Sequence, residues 1–140
     1  MSNASNILMA VALTRDEARV WTAMNVPGQA PENFHVPSDL RRHHHQRAAH
    51  GRDAREVDHD TQAYFEAITA SLDGASSILL VGHGHGKANE MVTLMRYWAH
   101  AHPDVARKVV GAVDSNLESL SDNQVLALAR EWYRDRREFL

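Results

Sequence analysis

Apolar and polar positions change rhythm several times along the chain, and each change marks an element. Ile7 to Thr14, ILMAVALT, is a continuous apolar run of strand length. After the short polar link RDE comes ARVWTAM, Ala18 to Met24, in which Val20 and Trp21 predict a second strand and a hairpin with the first. NVPGQAPE holds two prolines and a glycine and reads as a loop. NFHVP, Asn33 to Pro37, is a short third strand that Pro37 ends or confines to an edge. Apolar periodicity then disappears until about Val57, which leaves a long loop over residues 38–57.

Helical spacing begins beyond it. Asp58 or Asp60 caps a helix running to Leu72, with Tyr64, Phe65, Ile68 and Leu72 on one face and Gly74 as the stop. SILLVG, Ser77 to Gly82, is the clearest buried strand. A helix from about Ala88 to Ala101 carries the stripe Met91, Val92, Met95 and Trp98 and ends at Pro103. One further turn, DVARK, leads into the strand VVGAVD, Val109 to Asp114. Ser121 and Gln124 have the spacing of a capping box for a last helix, with Val125, Leu128, Ala129 and Trp132 facing inward.

This order predicts an α/β fold: a single domain over residues 1–140, three layers α/β/α. Its mixed sheet has an antiparallel N-terminal hairpin followed by parallel strands joined through right-handed crossovers. Composition agrees with a soluble globular domain, and with no cysteine it excludes disulfides, thiolate zinc sites and a cysteine nucleophile. No apolar run is long enough for a membrane span and no signal peptide opens the chain, so a cytoplasmic protein is expected. Net charge is -3, so any contact with a polyanion has to come from a local patch.

Such a patch exists. Leu40 to Arg52 contains Arg41, Arg42, Arg47 and Arg52, histidines 43, 44, 45 and 50, and Gln46, with no acid before Asp53. Arginine grips phosphates in bidentate fashion, and histidine stacks on unpaired bases and gains charge below neutrality. Asp53, Glu56, Asp58 and Asp60 follow as an acidic cluster that caps the next helix and balances its charge.

The turn VGHGHGKAN is a second candidate. Glycines let backbone N–H groups approach an anion, and Lys87 adds a cation. It is not a phosphate loop: three residues, not four, separate Gly82 from Gly86, and Ala88 stands where a hydroxyl would hold magnesium. His83 and His85 are two apart, as are His43 and His45. Two such pairs brought together are candidate ligands for zinc or nickel. No nucleophile elbow accompanies the serines, and no catalytic triad is read.

The segments ILMAVALTRDEARVW, YFEAITASLDGASSILLVGHGHGKANEM and HAHPDVARKVVGAVDSNLESLSDNQVLALAREWY, in this order, resemble two groups. One is the middle domain of eukaryotic and archaeal class-1 peptide release factors. The other is a set of small bacterial release-factor-like proteins named translational machinery protein. The resemblance implies a ribonuclease-H-like three-layer domain and a role at or near the ribosome. In release factors the loop before the long helix carries a Gly-Gly-Gln tripeptide that positions water at the peptidyl-tRNA ester. Here the resemblance puts Gln46 in the glutamine's place, while His44 and His45 stand where the glycines would be. Histidine lacks glycine's conformational freedom and its close approach to RNA.

The leading expectation is therefore a non-catalytic, translation-associated binder of structured RNA or the ribosome. It would act through Arg41, Arg42, His43, His44, His45, Gln46, Arg47, His50, Arg52, His83, His85 and Lys87. One alternative is a histidine-based, metal-dependent hydrolase acting on RNA or peptidyl-tRNA. Another is an oligomeric scaffold, a homodimer using exposed apolar residues near Trp132 and Tyr133.

Overall fold

The computed structural model describes residues 7–14, 17–24, 28–35, 59–82 and 90–136. Five strands form one sheet: β1 (Leu8–Leu13), β2 (Glu17–Trp21), β3 (Glu32–His35), β4 (Ser77–Gly82) and β5 (Val109–Asp114). The order across the sheet is β3-β2-β1-β4-β5. β1 pairs antiparallel with β2, and β2 with β3. β4 runs parallel to both β1 and β5. The mixed sheet expected from the early hairpin and the later strand–helix alternation is thus the one observed.

Alternation along the central strands sorts the core into two layers. Met9, Val11 and Leu13 of β1, with Ile78 and Leu80 of β4, face helices α1 (His59–Ser71) and α2 (Glu90–Ala101). A short helix, α3 (Pro103–Ala106), closes the edge of that layer through the half-buried Val105 and Ala106. Ala10 and Ala12 of β1, with Leu79 and Val81 of β4, face α4 (Asp122–Asp135) and Leu117 of a preceding 3-10 turn. Helices on both faces give the three layers.

Tyr64, Phe65, Ile68 and Leu72 of α1 are all buried, as their spacing predicts. The stripe of α2 is rotated from its expected position. Met91, Leu94 and Trp98 are buried, Met95 is half-buried, and Val92 is 37% exposed. The i, i+3, i+7 row, not the row through Val92, meets the sheet. Trp98 satisfies its indole N–H by donating to Thr69 Oγ1 at 2.8 Å.

Helix α4 begins with the expected capping box. Gln124 N–H donates to Ser121 Oγ, and Ser121 N–H donates to Gln124 Oε1 at 2.8 Å. Its inward row also differs from expectation. Val125, Leu126, Ala129 and Tyr133 are buried, while Leu128 and Trp132 are half-buried on the shoulder. Tyr133 is only 2% exposed and its hydroxyl donates to the Met9 carbonyl at 2.9 Å, so it offers nothing to a dimer seam. Burial pushes the pKa of that hydroxyl well above the ordinary tyrosine range.

The position of Trp132 depends on an irregularity in β5. The pairing with β4 slips between Ile78 and Leu79, so that Ile78 faces Val109 but Leu79 faces Gly111. The extra residue turns both Val110 and Gly111 toward α4. A side chain at Gly111 would come within 2.4 Å of the Trp132 ring, so the glycine is the space the indole occupies. The Arg136 guanidinium lies over the Trp132 ring, 3.9 Å from its centroid.

Gly111→Ala is expected to lower stability by about 1–3 kcal/mol, the usual cost of overpacking against a rigid ring. Thermal and urea denaturation should both register the loss. In the double variant with Trp132→Leu the alanine should cost less than about 0.5 kcal/mol, because the obstructing ring is gone. An unchanged penalty in that background would mean that Gly111 is required for its backbone, not for the indole.

Candidate functional site

The register fixes which chain ends lie together. Leu13 of β1 pairs with Gly82 of β4, and Gly82 with Asp114 of β5. Leu13 also pairs with Ala18, and Glu17 pairs with His35 of β3. The carboxyl ends of β1, β3, β4 and β5 and the start of β2 therefore share one edge of the sheet. His35 and Gly82 stand three strand spacings apart there, about 14 Å.

Both segments singled out in the sequence attach at this edge. The arginine–histidine segment joins β3 to α1, and the glycine–histidine turn joins β4 to α2. The candidate residues Arg41, Arg42, His43, His44, His45, Gln46, Arg47, His50, Arg52, His83, His85 and Lys87 themselves lie outside the described residues. So do Asp53, Glu56 and Asp58, and the zinc or nickel reading rests wholly on such positions. Among the described residues no three histidine, aspartate or glutamate side chains come together as a metal site.

The described part of the edge is built by short-range bonds. Thr14 N–H donates to the Glu17 carbonyl at 2.8 Å, closing the hairpin. Ser115 N–H donates to the Gly82 carbonyl at 2.7 Å, which keeps β4 paired to its last residue. Gly82 sits directly under Met91, whose Cγ would lie 2.6 Å from an added Cβ. The absence of a side chain lets the first turn of α2 close onto the strand end. His35 Nδ1 stands 3.6 Å from Glu17 Oε1, both half-exposed. This is the carboxyl edge of parallel strands, where open α/β sheets hold ligands.

A second constellation, which sequence reasoning did not single out, lies toward the other end of the helical layer. Glu66 of α1 accepts two hydrogen bonds at the same oxygen, Oε2. One comes from the Tyr97 hydroxyl of α2 and the other from His102 Nε2, at 2.7 Å. His102 is the N-cap residue of α3, so one carboxylate ties α1 to the α2–α3 corner. The Tyr97 ring packs between Phe65 and His102, with centroids at 5.5 and 6.0 Å. The side chains of Glu66 and His102 are 43% and 31% exposed.

The hydrogen bond from Tyr97, then that from His102, lowers the Glu66 pKa below its usual value. Burial first, and Glu66 second, push the Tyr97 hydroxyl up to about 12. With the carboxylate ionised, the proton of a neutral His102 sits on Nε2 and leaves Nδ1 as an acceptor. Among the described residues the pair is not completed into a nucleophilic triad: the nearby Thr69 hydroxyl already donates to the Phe65 carbonyl at 2.7 Å. The network's evident work is to hold the corner.

No family model and no curated protein matches this sequence. Among solved structures the chain is similar in fold to Pelota of Archaeoglobus fulgidus, with a TM-score of 0.52 at 10% sequence identity. The likeness covers 93% of this chain and 37% of that one, so the chain spans little more than a third of that protein's length. Among the described residues no helix is long and apolar enough to cross a membrane.

The linkage of the Glu66–Tyr97 bond to pH has a definite sign. A lowered carboxylate pKa adds stability above the ordinary value of 4.5 that is lost as pH falls through the lowered one. A raised phenol pKa adds stability below 10.0 that is lost as pH rises toward about 12. The stability difference between wild type and Tyr97→Phe should therefore be flat between about pH 5 and 9 and shrink on both sides. Because Glu66 is nearly half-exposed, the plateau is expected at about 1 kcal/mol or less. Denaturation midpoints measured across that range test it, and a difference independent of pH would assign the effect to ring packing alone.

Proposed function

We propose that this chain is a translation-associated protein that binds structured RNA or the ribosome. The contacts would come from its arginine–histidine segment, Leu40 to Arg52, and its glycine–histidine turn. The observation that carries the reading is that both segments spring from one edge of the sheet. Chain residues far apart in sequence, four arginines and six histidines together with Lys87, are thereby tethered at a common end of a fold whose net charge is -3. A local cationic surface on a mildly acidic body binds polyanions without binding them everywhere.

Two likenesses support the translational setting. The sequence resembles the middle domain of class-1 release factors. The fold is similar to part of Pelota of Archaeoglobus fulgidus. With His44 and His45 in place of the two glycines, the reading is of a binder and not of a peptide-release catalyst.

The expected result is salt-sensitive binding to ribosomes or structured RNA that weakens in the triple variant Arg41→Ala, Arg42→Ala, Arg47→Ala. If all three arginines contact phosphates, the slope of log K against log salt should become shallower by about 2–3. Filter binding at several salt concentrations measures both quantities. Equal affinity and equal slope for variant and wild type would remove the proposal.

A further inference from the structure

The two lateral edges of the sheet are finished differently. β3 ends one side with four residues, of which Glu32, Asn33 and His35 are exposed. A short, charged strand is a poor template for another chain. β5 ends the other side with six residues, and from Val109 to Val113 it holds no charged or polar side chain. No residue of β5 is fully buried, and Ala112 is exposed. An apolar, uncharged edge of this length accepts a further strand.

The backbone has open positions there. Ser115 N–H donates to the Gly82 carbonyl of β4. By alternation Gly111 and Val113 also turn their polar groups toward β4, while Val110 and Ala112 turn theirs outward. β5 neighbours β4 alone, and among the described residues nothing bonds the N–H or C=O of Val110 or Ala112. The bulge lies before this stretch, and the register from Gly111 to Asp114 is regular.

The charges at the strand's ends select the added strand. Arg107 and Lys108 precede β5, and the exposed Asp114 closes it. A second β5 running antiparallel, about a two-fold axis near Gly111 and Ala112, places each copy's basic start beside the other's acidic end. Opposite charges facing across antiparallel strands favour that pairing, whereas a parallel copy would face like charges. The arrangement is self-complementary, as a two-fold interface requires.

We infer that β5 is a dimer seam, where two copies of this chain join edge to edge through the backbones of Val110 and Ala112 into one continuous sheet. Both α4 helices then lie on the same face, with Trp132, which packs on Gly111, beside the axis. The seam is a lateral edge of the sheet, distinct from the carboxyl edge assigned to RNA, and does not depend on that assignment.

Sedimentation of the full chain over a roughly hundredfold range of concentration should show monomer passing to dimer. Amide exchange at Val110 and Ala112 should slow with concentration more than at Gly111 and Val113, which already bond to β4. Ala112→Pro removes an outward N–H without touching the β4 ladder. It should weaken dimerisation about tenfold or more, since each copy loses an inter-strand bond. Ala112→Lys should weaken it too, by setting like charges near the axis, and mixing that variant with Ala112→Glu should restore association. Because Ala112 is exposed, the lysine and glutamate variants should melt as dilute wild type does. A monomer at every concentration would overturn the inference. So would a dimer indifferent to both the proline and the lysine, or lysine and glutamate variants that fail to pair when mixed.

Discussion

β1 and β4 run side by side through the middle of the sheet, and from Met9 to Leu13 and Ser77 to Gly82 every residue is buried. Six consecutive register pairs join them, from Leu8 with Ser77 to Leu13 with Gly82. A parallel pair buried on both faces needs a helical layer on each side, and its strands cannot be joined by a tight turn. The pair begins at a small clamp. Ile7 N–H donates to Ser76 Oγ at 2.9 Å, and Ser76 N–H returns a bond to the Ile7 carbonyl at 2.8 Å. Since 69 residues separate these partners, the chain between them, including the hairpin and α1, is organised around their meeting. The position of both ends of the sheet follows from it.

The two helical layers are built differently because the strand faces offer different surfaces. Toward α1 and α2 the sheet presents Met9, Val11, Leu13, Ile78 and Leu80, and the helices answer with aromatic side chains. Toward α4 it presents Ala10 and Ala12 of β1 and Gly111 of β5, so a single helix sits close. The small strand residues admit Tyr133 and Trp132, whose rings meet edge to face. Arg19 completes this layer. It reaches from β2 to Asp122 in the first turn of α4 at 2.7 Å, setting the helix start against the hairpin. A helix held at both ends by polar bonds, Arg19 at one and the Tyr133 hydroxyl at the other, has its register along the strands specified as well as its face.

Much of this was legible in the residues because the signals were local. Continuous apolar runs identified β1 and β4, Ser121 and Gln124 announced the start of α4, and the row from Tyr64 to Leu72 gave the inward face of α1. The faces of α2 and α4 were read about one step off. In both helices apolar side chains wrap past the buried stripe, and only the partner decides which row is central. For α4 the partner is Gly111, brought into place by a bulge that no local pattern marks. The Glu66–Tyr97–His102 network was illegible for a plainer reason. Its members are 31 and 36 residues apart and each alone is an ordinary surface side chain. Nothing in the neighbourhood of any one of them reports the other two. The arginine–histidine and glycine–histidine segments stood out by composition, and what the fold adds is their attachment to one edge.

That edge and the corner held by Glu66 and His102 lie at opposite ends of β4, and the separation matters for how charged groups coexist around one sheet. A six-residue strand spans about 17–20 Å, roughly twice the ~8 Å Debye length at physiological salt. Carboxylates at the amino end therefore contribute little to the potential at the carboxyl end. The two surfaces are also connected differently to the core. The carboxyl edge is where strands stop and long connections begin, so its chemistry can vary with little cost to packing. The other end is closed by Glu66 holding the α2–α3 corner, so that carboxylate is placed by the same helices that cover the sheet.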